Sequence, residues 1–425
     1  MKNNNNELGI YIHIPFCVHK CIYCDFLSSP ADEETKKRYV NAIIKEIYLT
    51  KEGRNSKAHA HKLLMDNNDG IGQGSIDKKD IVTSIFIGGG TPSVIDALDI
   101  KAIIEAVRDN YNVSEAAEIT IECNPGTLDM TKIEIYREAG INRISFGLQS
   151  TSNSELKLLG RIHTYEQFVE NYKLARKAGF DNINIDLMSA LPGQTIESYR
   201  SVLKKAISLE TEHISVYSLI IEEGTSLSDN IDRFPPIPSE EDDRYMYHMT
   251  KDILAAAGYG QYEISNYARK GYECRHNIKY WERCNYIGFG IGAASLYGEK
   301  RYTNISDIRQ YMDILLGDGD DVSQNIECVS QNIDVEQRIE AIRTDVEELS
   351  REDEMSEYMF LGLRKTAGID IADFKEKFGC DISKIYDKPI KDNIASGLLV
   401  HKGNRLYLSQ RGIDISNTVM SDFIL

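Results

Sequence analysis

The chain has 425 residues, 42% hydrophobic and 27% charged, with only 9 prolines, a composition that fits a globular protein with a sizeable core and excludes collagen, coiled coil and wholesale disorder. The length predicts one large domain with a smaller partner, or two to three compact units. Forty-nine Lys and Arg against 66 Asp and Glu leave a net charge of -17, which opposes non-specific binding to nucleic acid or to an anionic membrane surface.

Met1 to Gly9 is a polar run without an apolar stretch behind it, so neither a secretory signal nor a transit peptide is expected. The longest uncharged stretches, Ile81 to Ile95 and Cys284 to Gly298, are shorter than the ~18 residues that suggest a membrane span. A cytoplasmic location is expected. In that reducing setting the eight cysteines read as metal ligands, redox groups or inert thiols rather than disulfides.

From Ile10 to about Tyr217, short apolar β-branched runs alternate with longer amphipathic segments, the pattern of repeated β/α units around a parallel sheet. Six strands are expected: Ile10 to Ile14, Val82 to Ile87, Ile119 to Cys123, Arg143 to Phe146, Asn182 to Asp186 and His213 to Tyr217. Helical periodicity falls on Thr35 to Leu49, Ile100 to Asn110, Tyr165 to Ala178 and Ile196 to Leu209, with Gly140 and Gly179 where a C-cap needs a left-handed residue.

Residues 1–230 are expected to hold this sheet, with Gly53 to Asp80 as an exposed polar insertion. His59 and His61 within it read as a solvated pair, because no cysteine accompanies them. Residues 231–317 form an extension containing the helix Ser239 to Ala257, and residues 318–354 an acidic, irregular connector. In residues 355–425, Met355 to Arg364, Ile371 to Phe378 and Ile390 to Ser396 read as helices, and Leu399 to Leu408 as a hairpin turning at Gly403-Asn404. That order is winged-helix-like. Without a dense basic recognition helix, a docking or structural role fits it better than DNA binding.

Cys17-Val-His-Lys-Cys21-Ile-Tyr-Cys24 follows the first expected strand. A closed zinc site wants four ligands, and no second cysteine pair follows at a suitable spacing; His13, His19 or Asp25 would have to complete it. Three thiolates on one loop instead suit a [4Fe-4S] cluster whose fourth iron stays open. The Cys-x3-Cys-x2-Cys spacing with Tyr23 before the last cysteine resembles the signature of the radical S-adenosylmethionine (SAM) superfamily. The resemblance implies a partial (β/α)6 barrel of TIM type, with SAM chelating the open iron.

Ligands of parallel α/β folds bind at the carboxyl ends of the strands. Gly88-Gly89-Gly90-Thr91-Pro92 ends the second strand, where absent side chains let backbone approach a ligand; polar residues also mark the next ends at Glu122, Gln149 and Asp186, with Arg161 following. Carboxylates and glutamine suit ribose hydroxyls and ammonium, and arginine suits a carboxylate. Tyr11-Ile-His-Ile-Pro-Phe-Cys17, Phe86 to Pro92, Ile121-Glu-Cys-Asn-Pro125, Arg143 to Gln149, Gly160-Arg-Ile-His163 and Asn184-Ile-Asp-Leu187 resemble the oxygen-independent coproporphyrinogen III oxidase (HemN) family and its haem-chaperone relatives. Residue by residue, that resemblance implies SAM contacts from Tyr11, Tyr23, Gly89, Gly90, Thr91, Glu122, Gln149, Arg161 and Asp186, and cluster ligation by Cys17, Cys21 and Cys24. It covers nearly the whole chain, the carboxyl-terminal HemN_C-like unit included.

Three departures point toward the chaperone side. Cys24 is followed by Asp25-Phe26 rather than by Cys-x-Cys, and only sixteen residues precede Cys17 where the oxidases carry a long extension. His276-Asn277-x-x-Tyr280-Trp281 resembles a phrase tied to haem binding in the chaperones. On the residues alone it reads equally as a hydrogen-bonded structural corner, with Cys274 and Cys284 as alternative iron ligands. The function implied is binding of haem, a [4Fe-4S] cluster and SAM, with delivery of haem to apo-haemoproteins such as respiratory enzymes and membrane association only through those partners. The alternative is radical-SAM oxidative decarboxylation of coproporphyrinogen III in porphyrin biosynthesis, so whether the protein is an enzyme stays open at this point.

Overall fold

The computed structural model describes residues 6–65, 80–317 and 335–425. All six expected strands are present, somewhat longer than read: β1 Glu7–Ile14, β2 Ile81–Gly89, β3 Asn112–Cys123, β4 Arg143–Gln149, β5 Ile183–Ser189 and β6 His213–Ser218. They are followed by β7 Gly260–Gln261, β8 Asn266–Ala268, β9 Asn285–Phe289, β10 Ala294–Tyr297, β11 Lys300–Asn304 and β12 Arg343–Glu348. The chain divides into two compact units that cut across the linear boundaries expected at 230 and 317. One gathers residues up to Lys20, Phe26–Asn142 and Asn285–Glu348; the other gathers Cys21–Asp25, Arg143–Cys284 and Leu349–Leu425.

In the first unit the strands lie in the order β12-β11-β10-β9-β1-β2-β3. β9, β1, β2 and β3 are parallel, and β10 to β12 continue antiparallel. Ile10, Ile12 and Ile14 of β1 and Ile85 and Ile87 of β2 are fully buried, as parallel strands require. The helix Ala97–Asn110 starts where the Asp96 side chain accepts from the Leu98 amide, and it buries Ile100, Ile103, Ile104 and Val107, one face at helical spacing.

Two expectations need correction here. The first helix is Glu33–Met65, so residues 53–65 continue it instead of opening a loop. Ala, Lys, Leu and Met are good helix formers, and the single Gly53 costs only about 1 kcal/mol, too little to end the run. The rest of the expected insertion, 66–79, and the connector's first part, 318–334, lie outside the described residues. The remaining connector is regular: Val335–Ala341 is a helix, and β12 pairs antiparallel with β11. β12 escaped notice because its side chains face solvent and its signal is charge. Glu347 and Glu348 stand opposite Arg301 and Lys300, favourable cross-strand pairs.

Inside this unit Glu46 is a buried carboxylic acid that accepts from the Gly290 amide at 2.9 Å, Asn304 Nδ2 at 2.7 Å and the Tyr311 hydroxyl at 2.5 Å. Burial outweighs these bonds and pushes its pKa up from 4.5 to about 7. With the folded pKa raised, the folded state holds the proton more tightly than the unfolded chain. Its contribution to stability is present below the ordinary pKa and is lost as pH rises through about 7. The melting temperature of the wild type relative to Glu46→Gln therefore falls between pH 5 and pH 8. A difference that stays constant or grows across that range contradicts the assignment.

In the second unit β4, β5 and β6 are parallel, and β8 and β7 add antiparallel beyond β6. Capping boxes at Thr164/Gln167 and Thr195/Ser198 start the helices Tyr165–Lys177 and Ile196–Ile207. Gly179 has the positive φ, 86°, expected of a C-cap. The carboxyl-terminal segment carries helices Arg351–Leu363, Ile371–Phe378 and Ser383–Ala395, the short strand β13 Ile369–Asp370 and the hairpin β14 Leu399–Lys402 and β15 Arg405–Leu408. The third helix begins earlier than read because it is kinked at Tyr386, ahead of Pro389, and the residues before the kink belong to it. Met359, Leu363, Phe374, Phe378, Tyr386, Leu406 and Phe423 form its core. Among the described residues no helix is long and apolar enough to cross a membrane.

Candidate cluster and cofactor site

In the first unit β1 runs beside β2 with His13 opposite Gly88 and Ile14 opposite Gly89. Beyond the strand, the Gly90 amide donates to Ile14 O at 2.9 Å and the Thr91 amide to Phe16 O at 2.7 Å. A Cβ on Gly90 would sit 2.7 Å from Phe16 O, and one on Gly89, whose φ is 109°, 2.5 Å from the His13 ring. The glycines thus let this loop lie against the end of β1. Gly90→Ala is expected to cost about 1–3 kcal/mol by overpacking, read as a lower denaturant midpoint at unchanged m-value; an unchanged midpoint contradicts the contact.

Thr91 Oγ1 accepts from Asn124 Nδ2 at 2.7 Å and lies 3.4 Å from Cys17 Sγ, within hydrogen-bond reach of the sulfur. His13 Nε2 donates to Leu27 O at 3.0 Å, which leaves Nδ1 to accept from the Tyr11 hydroxyl at 3.0 Å and fixes that ring. Burial lowers the His13 pKa and, with Glu122 nearby, raises that of Tyr11. Glu122, at the end of β3, accepts from the Gly89 amide at 3.1 Å.

Cys21 and Cys24 belong to the second unit, on a turn closed by the Cys24 amide to Cys21 O at 3.2 Å. Arg161 Nη1 donates to Cys21 Sγ at 3.3 Å, and Nη2 holds Gly147 O at 2.7 Å. Tyr23 packs on Leu159, Met188 and Leu191, and burial raises its pKa against the pull of Arg161. Gln149, at the end of β4, has a φ of 68°, a left-handed conformation that a non-glycine residue adopts under constraint. Asp186 on β5 accepts from Asn184 Nδ2 at 2.8 Å; burial raises its pKa, while Asn184, Ser215 and Arg143 oppose the shift.

Among the described residues no three His, Cys, Asp or Glu side chains are gathered into a metal cage. The fit of the cysteine loop to an iron-sulfur cluster rests on its donor set. It offers three thiols within eight residues, and two of the sulfurs meet hydrogen-bonding groups, the Thr91 hydroxyl and the Arg161 guanidinium.

The phrase at 276–281 lies on the helix Arg275–Trp281, also in the second unit. His276 is buried, and its Nε2 is 2.9 Å from the Tyr280 hydroxyl one turn on. Burial, with Lys279 and Arg143, pushes its pKa down to about 3, so the imidazole is neutral at physiological pH. The Arg364 guanidinium lies 4.4 Å over the Trp281 ring, whose buried indole N–H has no acceptor among the described residues. Asn277 is half-buried, Cys274 buried and Cys284 half-buried.

Residues 11–206 match the family model of the radical SAM superfamily, and residues 349–415 that of the HemN C-terminal domain. The chain is 33% identical to "Heme chaperone HemW" of Lactococcus lactis over 98% of its own length and 97% of the relative's. It is 34% identical to the Bacillus subtilis protein of the same name, over 97% and 98%. The chain belongs to the HemW family. Escherichia coli HemW is 38% identical over 67% of this chain and 69% of its own. The solved structure of Escherichia coli coproporphyrinogen III oxidase (HemN), a radical SAM enzyme, superposes with a TM-score of 0.76 over 99% of this chain and 90% of its own, at 20% identity. That similarity establishes the shared fold, an α/β architecture with a mostly parallel sheet and a carboxyl-terminal domain.

Sequence reasoning found the strand-end residues of this HemW-family chain but missed what holds them. Asn124, His13 and Asn184 position Thr91, Tyr11 and Asp186 respectively. Asn124 lies in the Ile121-Glu-Cys-Asn-Pro125 motif, two residues past Glu122. Its pairing with Thr91 spans 33 residues, and only the β2–β3 neighbourhood makes it visible.

Proposed function

We propose that this protein is a haem carrier: it binds haem, a [4Fe-4S] cluster and SAM, and hands haem to apo-haemoproteins, respiratory enzymes at the membrane among them. The observation that carries the reading is end-to-end similarity to haem chaperones at 33–34% identity, whereas the oxidase shares the fold at 20%. Cys17, Cys21 and Cys24 hold the cluster, with the Thr91 hydroxyl and Arg161 guanidinium within hydrogen-bond reach of two sulfurs. When bound, the cluster's open iron supplies a chelation point for the amino and carboxylate groups of SAM. The SAM contacts are assigned, from the motifs they stand in, to Tyr11, Tyr23, Gly89, Gly90, Glu122, Gln149 and Asp186, together with Thr91 and Arg161.

His276 is the proposed axial ligand, in the segment completed by Asn277, Tyr280 and Trp281. Its ring is already neutral, so no proton need leave before iron binds, but Nε2 must exchange its Tyr280 hydrogen bond for the metal. The unmatched Trp281 N–H is a donor suited to a haem propionate. The test loads the protein with haem under anaerobic conditions and mixes it with an apo-haemoprotein acceptor. Growth of holo-acceptor faster than from free haem supports the carrier. Retention of all haem by the donor rejects it.

A further inference from the structure

A line of buried and half-buried polar groups in the second unit starts at Asp186 and ends at Cys274, the residue that precedes the haem-segment helix, and the direction of each bond in it is forced. The Cys274 backbone N–H can only donate, so the Tyr262 oxygen accepts it at 3.3 Å. Asn184 Nδ2 lies 2.8 Å from Asp186 Oδ1 and 2.8 Å from Ser145 Oγ, which turns Asn184 Oδ1 toward His213 Nδ1 at 2.6 Å. Ser215 Oγ lies 3.2 Å from the same Oδ1 and also bonds the Asp186 carboxylate. His213 Nδ1 therefore carries a hydrogen. Burial and the nearby Arg143 keep this ring neutral, so Nε2 is bare and accepts from the Tyr262 hydroxyl at 2.9 Å.

Four bonds thus run head to tail from Cys274 through Tyr262, His213 and Asn184 to the Asp186 carboxylate. Hydrogen bonds aligned this way in a poorly solvated interior polarise one another, so a change at the terminal acceptor is felt along the line. Arg143, itself buried, is the positive charge that acts on Asp186, His213, Tyr262 and His276 alike. Filling this space with so many polar groups costs desolvation that apolar side chains would avoid. Fold maintenance alone does not call for them.

We propose that this line couples two ligand sites: occupation of Asp186 by the ribose of SAM tightens haem binding at the His276 segment, with His213 and Tyr262 as positioning residues. The inference rests on the assignment of SAM to Asp186 and of haem to the helix Arg275–Trp281. Its sign follows from preorganisation. Ribose hydroxyls donating to Asp186 fix its carboxylate, the fixed acceptor holds the line, and the line holds the Cys274 amide at the start of the helix that presents His276.

The test titrates haem into the anaerobically reconstituted protein with and without saturating SAM, for the wild type and for Tyr262→Phe, which keeps the ring and deletes the hydroxyl. The wild type is expected to bind haem at least about fivefold more tightly with SAM, and the variant to show less than about twofold change while still binding each ligand alone. Haem affinity in the wild type that SAM leaves unchanged or weakens overturns the coupling, and a full SAM effect in Tyr262→Phe overturns the route. Hydrogen exchange of the wild type alone gives a second reading should the variant fail to fold. SAM without haem slows exchange in the segment 274–281, and unchanged exchange there overturns the proposal. Failure of the wild type to bind haem or SAM singly shows in the control titrations and removes the functional reading itself, with the inference resting on it.

Discussion

Alanine in place of Cys17, Cys21 or Cys24 abolishes iron retention after anaerobic reconstitution, from about four irons per chain to near none. A cluster held by three protein thiolates has no ligand to spare, and Cys123 and Cys274 are buried. Burial also raises the Cys123 thiol far above the ordinary range, away from the thiolate a metal needs. Cys380→Ala, in the carboxyl-terminal segment, is the matched control and keeps full iron. Iron and sulfide assays on folded protein decide the matter. Wild-type iron in any of the three variants contradicts the ligand assignment.

His276→Ala raises the dissociation constant for haem by about a hundredfold, which is about 2.7 kcal/mol, with iron content unchanged; because the ring is buried and bonded to Tyr280, the melting temperature also falls. The neutral buried imidazole is the nitrogen ligand the helix offers, and alanine leaves Tyr280 and Trp281 without a metal-binding atom between them. Tyr280→Phe separates ligation from packing. It keeps the ring 4.9 Å from His276 but deletes the hydroxyl that competes for Nε2, so haem binds at least as tightly as in the wild type. Soret titrations measure both. Unchanged affinity in His276→Ala moves the iron ligand elsewhere, with Cys284 the next residue to test.

The parallel strands were legible because burial on both faces leaves an uninterrupted apolar run, and the cysteine loop because its spacing is itself the chemistry. Signals that depend on partners far along the chain were not. Asn184 and His213 meet because β5 and β6 pair them in register, and Tyr262 reaches His213 across 49 residues, a link that no local pattern encodes. Glu46 sits in what reads as an ordinary amphipathic helix, yet its acceptors are filled from residues 290, 304 and 311. β12 was hidden for the opposite reason, since an exposed edge strand held by Glu–Lys and Glu–Arg neighbours lacks the apolar alternation by which strands are read. The glycine run was legible as a close approach. The end of β1 approaches it, a contact that only the fold could show.

The measurement that bears most directly on the carrier account supplies one reconstituted, reduced preparation with haem in one vessel and with coproporphyrinogen III and SAM in another, all without oxygen. The account predicts haem bound in a fixed ratio to protein and coproporphyrinogen III recovered unchanged. Conversion of the propionate side chains to vinyl groups with matching consumption of SAM, in a preparation that retains no haem, would contradict it and make the protein a decarboxylating oxidase with Asp25 as a variant of that motif.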